Sequence, residues 1–156
     1  DFTRRALPFL ESNLPDAVRR PLSIDYVRQV MPLVQERART LAEVPELTDF
    51  FFTDELDYEP GLLIVKKMNR ESSIQALLAV RNRLEHRQTF DTTSLETVLR
   101  PLADEMGLKT GQLFGTLRVA ITGRMVAPPL FETMAVLGKE RSMDRVSAAL
   151  SKLRSL

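Results

Sequence analysis

The sequence lacks several residue types on which common protein chemistries depend. Cysteine and tryptophan are absent, and His86 is the single histidine. Without cysteine the chain has no disulfide, no zinc finger with thiolate ligands and no thiol nucleophile. One histidine also excludes a multi-histidine metal site within one chain. We therefore predict no metal site.

Long apolar segments and catalytic signatures are missing as well. No apolar run approaches the roughly 20 residues that span a bilayer, and no signal-peptide pattern follows Arg4 and Arg5. The chain has no Gly-x-x-x-x-Gly-Lys phosphate loop, and no two carboxylates stand out as an acid–base couple. We predict no catalytic residue, no bound cofactor and no membrane contact. Asp1 in place of Met suggests a cut from a longer protein or a processed tag.

The residues that are present favour a helical fold. Of the 156 residues, 44% are hydrophobic and 28% are charged, which is typical of a domain with its own core. Apolar residues recur at helical spacing along nearly the whole chain, and no segment alternates convincingly as a strand does. We predict an all-α fold, a helical bundle or cage of two consecutive subdomains. Their predicted ranges are 1–89 and 90–156, with the boundary at Phe90–Thr93.

Polar caps and glycines predict where helices begin and end. Ser23 is a good N-cap for a helix that runs through Ala38. The pair Thr93 and Glu96 has the spacing of a capping box, and Pro129 suits a first helical position. Three glycines are placed as helix stops: Gly107, Gly123 and Gly138.

Charge is distributed unevenly, although the formal net charge is only +1. The segment from Glu43 to Glu59 holds seven acidic residues and no Lys or Arg, whereas from Thr110 onward seven basic residues stand against three acidic ones. A polyanion would be attracted to the second region and repelled from the first. Ordinary surface charge accounts for the same distribution equally well.

The segment Thr110–Arg141 carries the most specific pattern in the chain. It reads as a helix, a glycine stop, a proline-containing loop, a second helix and a second glycine stop. Leu117–Gly123 reads LRVAITG, Pro128 and Leu130 follow, and Leu137–Arg141 reads LGKER. In order and spacing these elements resemble the C-terminal anticodon-binding region of bacterial-type glutamyl-tRNA synthetases. That family shows LRVALTG, a short loop with Pro, an apolar helix and LLGKER.

The resemblance implies the tRNA anticodon-binding domain of a glutamate–tRNA ligase, a class I aminoacyl-tRNA synthetase. It implies tRNA(Glu) as the partner, with tRNA(Gln) as a second candidate, and a monomeric protein of the cytoplasm. The catalytic half of this family carries His-Ile-Gly-His-like and Lys-Met-Ser-Lys-Ser-like motifs, and this chain has neither. On this interpretation the chain binds tRNA without catalysing ligation, and ATP and Mg²⁺ belong to the full-length enzyme.

Two arginines are the expected base-reading residues. Unstacked anticodon bases are recognised by stacking and by hydrogen bonds to their Watson–Crick edges, and a planar guanidinium supplies both. The arginine of LRVALTG reaches an anticodon base in relatives, which assigns that role to Arg118. Arg37 matches an arginine that favours cytosine as the last anticodon base in glutamate-specific relatives. Without the resemblance, each is an ordinary charge on a helix surface.

The loop after Gly123 supplies further candidates. Pro128 and Leu130 match positions that approach the anticodon bases in the family, where apolar atoms offer a dry platform for a base face. Their alternative interpretation is a helix-entry proline and a core leucine. Arg124, Lys139 and Arg141 are candidates for contacts with phosphates.

One departure from the family precedes the LRVAITG motif. Many relatives have Pro at the position of Thr116, whereas this chain has Gly115–Thr116. Because a glycine inside a helix costs about 1 kcal/mol relative to Ala, we expect the pair to provide a bend through flexibility instead of a fixed ring.

Two other classes of function compete with RNA recognition. A helical protein-interaction module without RNA binding would present an exposed apolar groove instead of a basic one. A stand-alone enzyme is disfavoured because the catalytic groups are missing. Glutaminyl relatives read anticodons with β-barrels, so the helical pattern also argues against that branch of the family.

Overall fold

A computed structural model describes residues 2–35, 37 and 40–156. Within these residues the secondary structure is helical, without strands, which confirms the predicted all-α class. Eight α-helices are described: α1 (Phe2–Asn13), α2 (Ile24–Val34), α3 (Val44–Phe52), α4 (Arg70–Glu85), α5 (Thr92–Glu105), α6 (Thr110–Thr122), α7 (Leu130–Leu137) and α8 (Lys139–Arg154). Two short 3₁₀ segments accompany them, at Leu41–Glu43 and Pro60–Leu63.

The chain divides into two compact units, one ending at Leu56 and the other comprising Asp57–Leu156. The sequence placed the division at 89/90 instead. The structure differs because α4, which precedes that point, packs against α5, α6 and α8, which follow it. The polar loop between α4 and α5 therefore connects two helices of one core.

The first unit is built from α1, α2 and α3. Ser23 caps α2 as predicted, since its hydroxyl accepts a hydrogen bond from the Tyr26 amide at 3.3 Å. The Tyr26 hydroxyl donates to the Phe51 carbonyl oxygen at 2.7 Å and so ties α2 to the end of α3. α2 ends at Val34, before the predicted end at Ala38, which lies outside the described residues together with Asp1 and Glu36.

In the second unit, α6 packs against α4, α5, α7 and α8. Its apolar face is fully buried along Leu113, Leu117 and Ile121. The predicted glycine stops are confirmed, and each has a positive φ: Gly107, Gly123 and Gly138.

The start of α5 corrects one expectation. Its N-cap is Asp91, whose carboxylate accepts from the Ser94 amide at 2.7 Å. The predicted capping box of Thr93 and Glu96 is therefore wrong, and the Glu96 carboxylate instead accepts a hydrogen bond from the Arg100 guanidinium at 2.7 Å. The Asp91 carboxylate, two residues before Thr93, already accepts from a first-turn amide, so the helix begins before Thr93. Pro129, predicted as a first helical residue, is instead the N-cap of α7, one residue before the helix begins at Leu130.

Candidate nucleic-acid interface

The C-terminal half of α6 carries Arg118 next to side chains that are fully buried. Leu117 and Ile121 are fully buried, which fixes the rotation of the helix about its axis. Arg118 is only half-buried. Within the described residues, its guanidinium makes no ion pair and no hydrogen bond. Its donors are therefore available to a ligand.

Thr122 joins Arg118 to the loop that follows α6. Its hydroxyl donates to the Arg118 carbonyl oxygen at 2.8 Å and accepts from the Arg124 amide at 3.1 Å. Between them Gly123 has φ +75°, a left-handed conformation that Gly adopts without steric cost. The amide of Gly123 closes the helix by donating to the Val119 carbonyl oxygen at 2.7 Å. The helix end and the loop start are thus one hydrogen-bonded structure.

The tip of this loop is apolar and exposed. Met125 is 61% exposed and Val126 is 77% exposed, whereas Pro128 and Leu130, the residues that the sequence nominated, are both buried. Their side chains are thus shielded from solvent. Met125 and Val126 were missed by the sequence analysis. Two adjacent apolar residues between a glycine stop and a proline were the available signal, since neither belongs to a helix face.

The three phosphate candidates have different environments. The Lys139 ammonium group donates to the carbonyl oxygens of Glu85 at 2.8 Å and Arg87 at 2.6 Å, at the C-terminal end of α4. A phosphate would have to compete with these two bonds. Arg124 and Arg141 are half-buried, and each has contacts within the protein.

The pair Gly115–Thr116 has a packing role that the sequence did not suggest. α6 runs through both residues without interruption. A Cβ at position 115 would lie 3.3 Å from Val65 Cγ1, and the buried Thr116 hydroxyl donates to the Leu63 carbonyl oxygen at 3.0 Å. Close approach of the segment around Leu63 and Val65 explains the glycine, so the expected flexible bend is not its reason.

Arg37 lies in the first unit, in a turn just after α2. Its amide donates to the Val34 carbonyl oxygen at 3.0 Å, and its side chain is exposed. Among the described residues the Arg37 guanidinium has no ion-pair partner. The other arginine nominated for base contacts, Arg118, belongs to the second unit together with the loop after α6.

Arg145 is a third residue that the sequence analysis did not single out as functional. It is only 4% exposed, and its Nη1 donates to the Ile121 carbonyl oxygen at 2.7 Å. It lies on the buried face of α8 with Ser142, Val146 and Ala149. A charged residue at helical spacing within an apolar face was the signal for it.

Tyr58 lies near Arg145, and its hydroxyl oxygen is buried. Burial raises the pKa of the Tyr58 phenol to about 12, and the positive charge of Arg145 opposes that shift. The Lys152 ammonium lies 4.8 Å from the centre of the Tyr58 ring, within cation–π range.

The described residues contain no group of three or more His, Cys, Asp or Glu side chains placed to hold a metal ion. None of the described helices is long and apolar enough to cross a membrane.

Comparison with known proteins identifies the family. Residues 1–150 match the model of the anticodon binding domain. A glutamate–tRNA ligase from Dehalococcoides mccartyi is 49% identical over 156 residues, covering 100% of this chain and 32% of its own length. One from Roseiflexus castenholzii is 52% identical over 128 residues, covering 82% of this chain and 25% of its own length.

A solved structure shares the fold. It is a glutamate tRNA ligase from Elizabethkingia meningosepticum in complex with its amino acid, with a TM-score of 0.75 and 19% identity. The match covers 98% of this chain and 30% of that one. The chain thus spans about a third of the length of the curated relatives at the top of the comparison. By the match over nearly all of its residues, the chain belongs to the anticodon-binding domain family.

Proposed function

We propose that this chain is the anticodon-binding part of a glutamate–tRNA ligase and binds the anticodon arm of tRNA(Glu). In the whole enzyme, which ligates glutamate to tRNA with ATP, it selects the tRNA by its anticodon and holds it in register. The acceptor end then lies in the catalytic portion, where ATP and Mg²⁺ are bound. The setting we propose is a monomeric enzyme of the cytoplasm.

The observation that carries this proposal is the combination at the end of α6. Arg118, whose side chain is half-buried and has no partner in the described protein, lies one turn before a loop whose exposed tip is Met125–Val126. Splayed bases need both a directed donor and a surface on which to stack. Arg118 offers the directed donor, and the apolar tip offers the stacking surface. Thr122 connects the two through its hydrogen bonds to the Arg118 carbonyl oxygen and the Arg124 amide.

Phosphate contacts complete the mechanism. They fix the orientation of a nucleic acid on a protein but do not specify its sequence. Arg124, Lys139 and Arg141 are the candidates for this role, and a phosphate at Lys139 would compete with two carbonyl oxygens. We assign base selection to Arg118 and Arg37, and orientation to Arg124, Lys139 and Arg141.

Arg37 extends the proposal to discrimination between glutamate and glutamine tRNAs. Its side chain is exposed in the turn after α2 and carries donors that suit the edge of a base. We propose that Arg37 favours cytosine as the last anticodon base, so that tRNA(Glu) binds more tightly than tRNA(Gln). Substitution Arg37→Gln should then narrow the difference in affinity between the two tRNAs.

The direct test is binding of labelled anticodon stem-loops at two salt concentrations. The stem-loop with the glutamate anticodon should bind more tightly than one whose last anticodon base is changed from cytosine to guanine. Affinity for both should fall steeply with salt, because phosphate contacts release counterions. Equal affinity for all loops, or binding that barely responds to salt, would contradict the proposal.

The competing interaction module has little support in the exposed apolar residues. The large hydrophobic side chains exposed among the described residues are Phe9, Met125, Val126 and Leu156. A peptide-binding groove needs several such residues on one face, and two of these four belong to the loop that we assign to RNA.

A further inference from the structure

We propose that Arg145 is a positioning residue for RNA recognition, which holds the end of α6 from inside the core and thereby sets the aim of Arg118 and the loop tip. This inference rests on the proposed function for its RNA-binding role.

Arg145 is placed where a charge is costly. It is the one charged side chain among the buried residues that the structure describes. A buried cation has lost its hydration, and a well-packed apolar residue of similar size often serves stability as well or better. The neighbouring buried residues of α8, such as Val146 and Ala149, are apolar. A role other than packing is therefore expected for this guanidinium.

The group that Arg145 binds explains that role. Ile121 is the residue before the last of α6, and its carbonyl oxygen would accept from the amide of residue 125 if the helix continued. The helix stops at Gly123, so this carbonyl has no helical partner. The Arg145 Nη1 takes that place at 2.7 Å, and its positive charge also suits the negative end of the helix dipole.

The hydrogen bond to Ile121 also restrains the residues of the proposed interface, because they follow Ile121 closely in the chain. The next residue, Thr122, bonds to the Arg118 carbonyl oxygen and to the Arg124 amide. Met125 follows immediately in the chain. A shift of the α6 end would therefore displace both the arginine that meets a base and the apolar tip beside it. Base recognition is sensitive to such shifts, because a directed hydrogen bond weakens steeply when its angle falls.

The same unit offers a matched control in Arg70. Its Nε donates to the Leu153 carbonyl oxygen at 2.9 Å and its Nη2 to that of Arg154 at 3.2 Å, so it closes the C-terminal end of α8 as Arg145 closes that of α6. Loss of either guanidinium removes a cation from a helix end. Only the Arg145 contact leads to the loop after α6.

The experiment compares the chain with its Arg145→Met, Arg145→Lys and Arg70→Met variants. Stem-loop binding is measured with the glutamate anticodon and with an altered last base, and amide hydrogen exchange is followed at positions 123–127. We expect Arg145→Met to reduce the affinity ratio between the two loops about tenfold, the effect of one well-directed base contact, and to accelerate exchange at these amides. The salt dependence should remain, because phosphate contacts do not need the same precision. Arg145→Lys should recover part of both effects, and Arg70→Met should change neither.

Each outcome decides the matter. A folded Arg145→Met variant with either unchanged loop exchange or an unchanged affinity ratio overturns the proposal, as does an equal loss in Arg70→Met. If Arg145→Met does not fold, Arg145→Lys carries the test, and a wild-type affinity ratio with wild-type exchange in that variant overturns it. If the unsubstituted chain shows no anticodon preference, the proposed function fails. Faster loop exchange in Arg145→Met would then show that the restraint exists without an RNA role.

Discussion

Substitution of Arg118 with alanine removes a guanidinium that has no partner among the described residues. Because no partner is left unsatisfied and Ala is a good helix former, we expect the free energy of unfolding to change by no more than about 0.5 kcal/mol. Binding of the stem-loop with the glutamate anticodon should weaken by about 1–3 kcal/mol, the value of one good base contact. This corresponds to an increase in Kd of roughly 5- to 150-fold.

The assay is fluorescence anisotropy with labelled stem-loops, with denaturant unfolding as the check on the fold. Arg5→Ala is the control, because Arg5 is exposed on α1, carries the same charge and has no ion-pair partner among the described residues. Arg118→Lys keeps the charge but loses the planar fork, so it should recover little of the preference for the glutamate anticodon. An equal loss of affinity for every anticodon would make Arg118 a phosphate contact, and unchanged binding would remove it from the interface.

Four further substitutions test the second unit. Thr122→Val removes the hydroxyl that bonds to the Arg118 carbonyl oxygen and the Arg124 amide. It should lower the free energy of unfolding by about 1–2 kcal/mol in chemical unfolding. It should also narrow the affinity difference between cognate and altered stem-loops. A Cβ added at Gly111 would have no atom within 4 Å, so Gly111→Ala should raise the free energy of unfolding by up to about 1 kcal/mol. The measurement is a rise in the melting temperature. Gly115→Ala should gain less, because its Cβ would lie 3.3 Å from Val65 Cγ1. The raised pKa of Tyr58, about 12, means that between pH 10 and 12 the unfolded chain loses the phenolic proton that the folded chain keeps. Stability should therefore fall as the pH rises through this range, and Tyr58→Phe should lose less stability there in pH-dependent unfolding. An identical alkaline decline in both proteins would show that Tyr58 does not titrate as proposed.

Local signals in the sequence predicted most of the helix ends. The cap at Ser23 required only a hydroxyl within reach of a first-turn amide. The helix stop at Gly123 required only a residue that adopts a positive φ. Both are properties of a few neighbouring residues, and both predictions are confirmed. The capping box at Thr93 failed for an equally local reason, since Asp91 lay two residues upstream and formed the cap.

Features that depend on packing could not be predicted in this way. The boundary at 89/90 was placed on polar composition, and only the packing of α4 against later helices shows that the loop lies within one unit. Pro128 and Leu130 are buried while Met125 and Val126 are exposed, although all four are apolar. Which apolar residue of a loop faces solvent depends on the path of the backbone. Arg118 could be predicted from the family resemblance. The contact between Arg145 and Ile121 could not, because it joins residues 24 positions apart that only the fold brings together.

The exposed position of Met125 and Val126 has a consequence for how such a domain can diversify. These two side chains contribute little to the core, while the groups that hold the loop at its base lie elsewhere, on α6 and α8. A tip supported in this manner can be exchanged without refolding the scaffold. A library randomised at these two codons alone would be a compact starting point for reprogramming which tRNA is accepted.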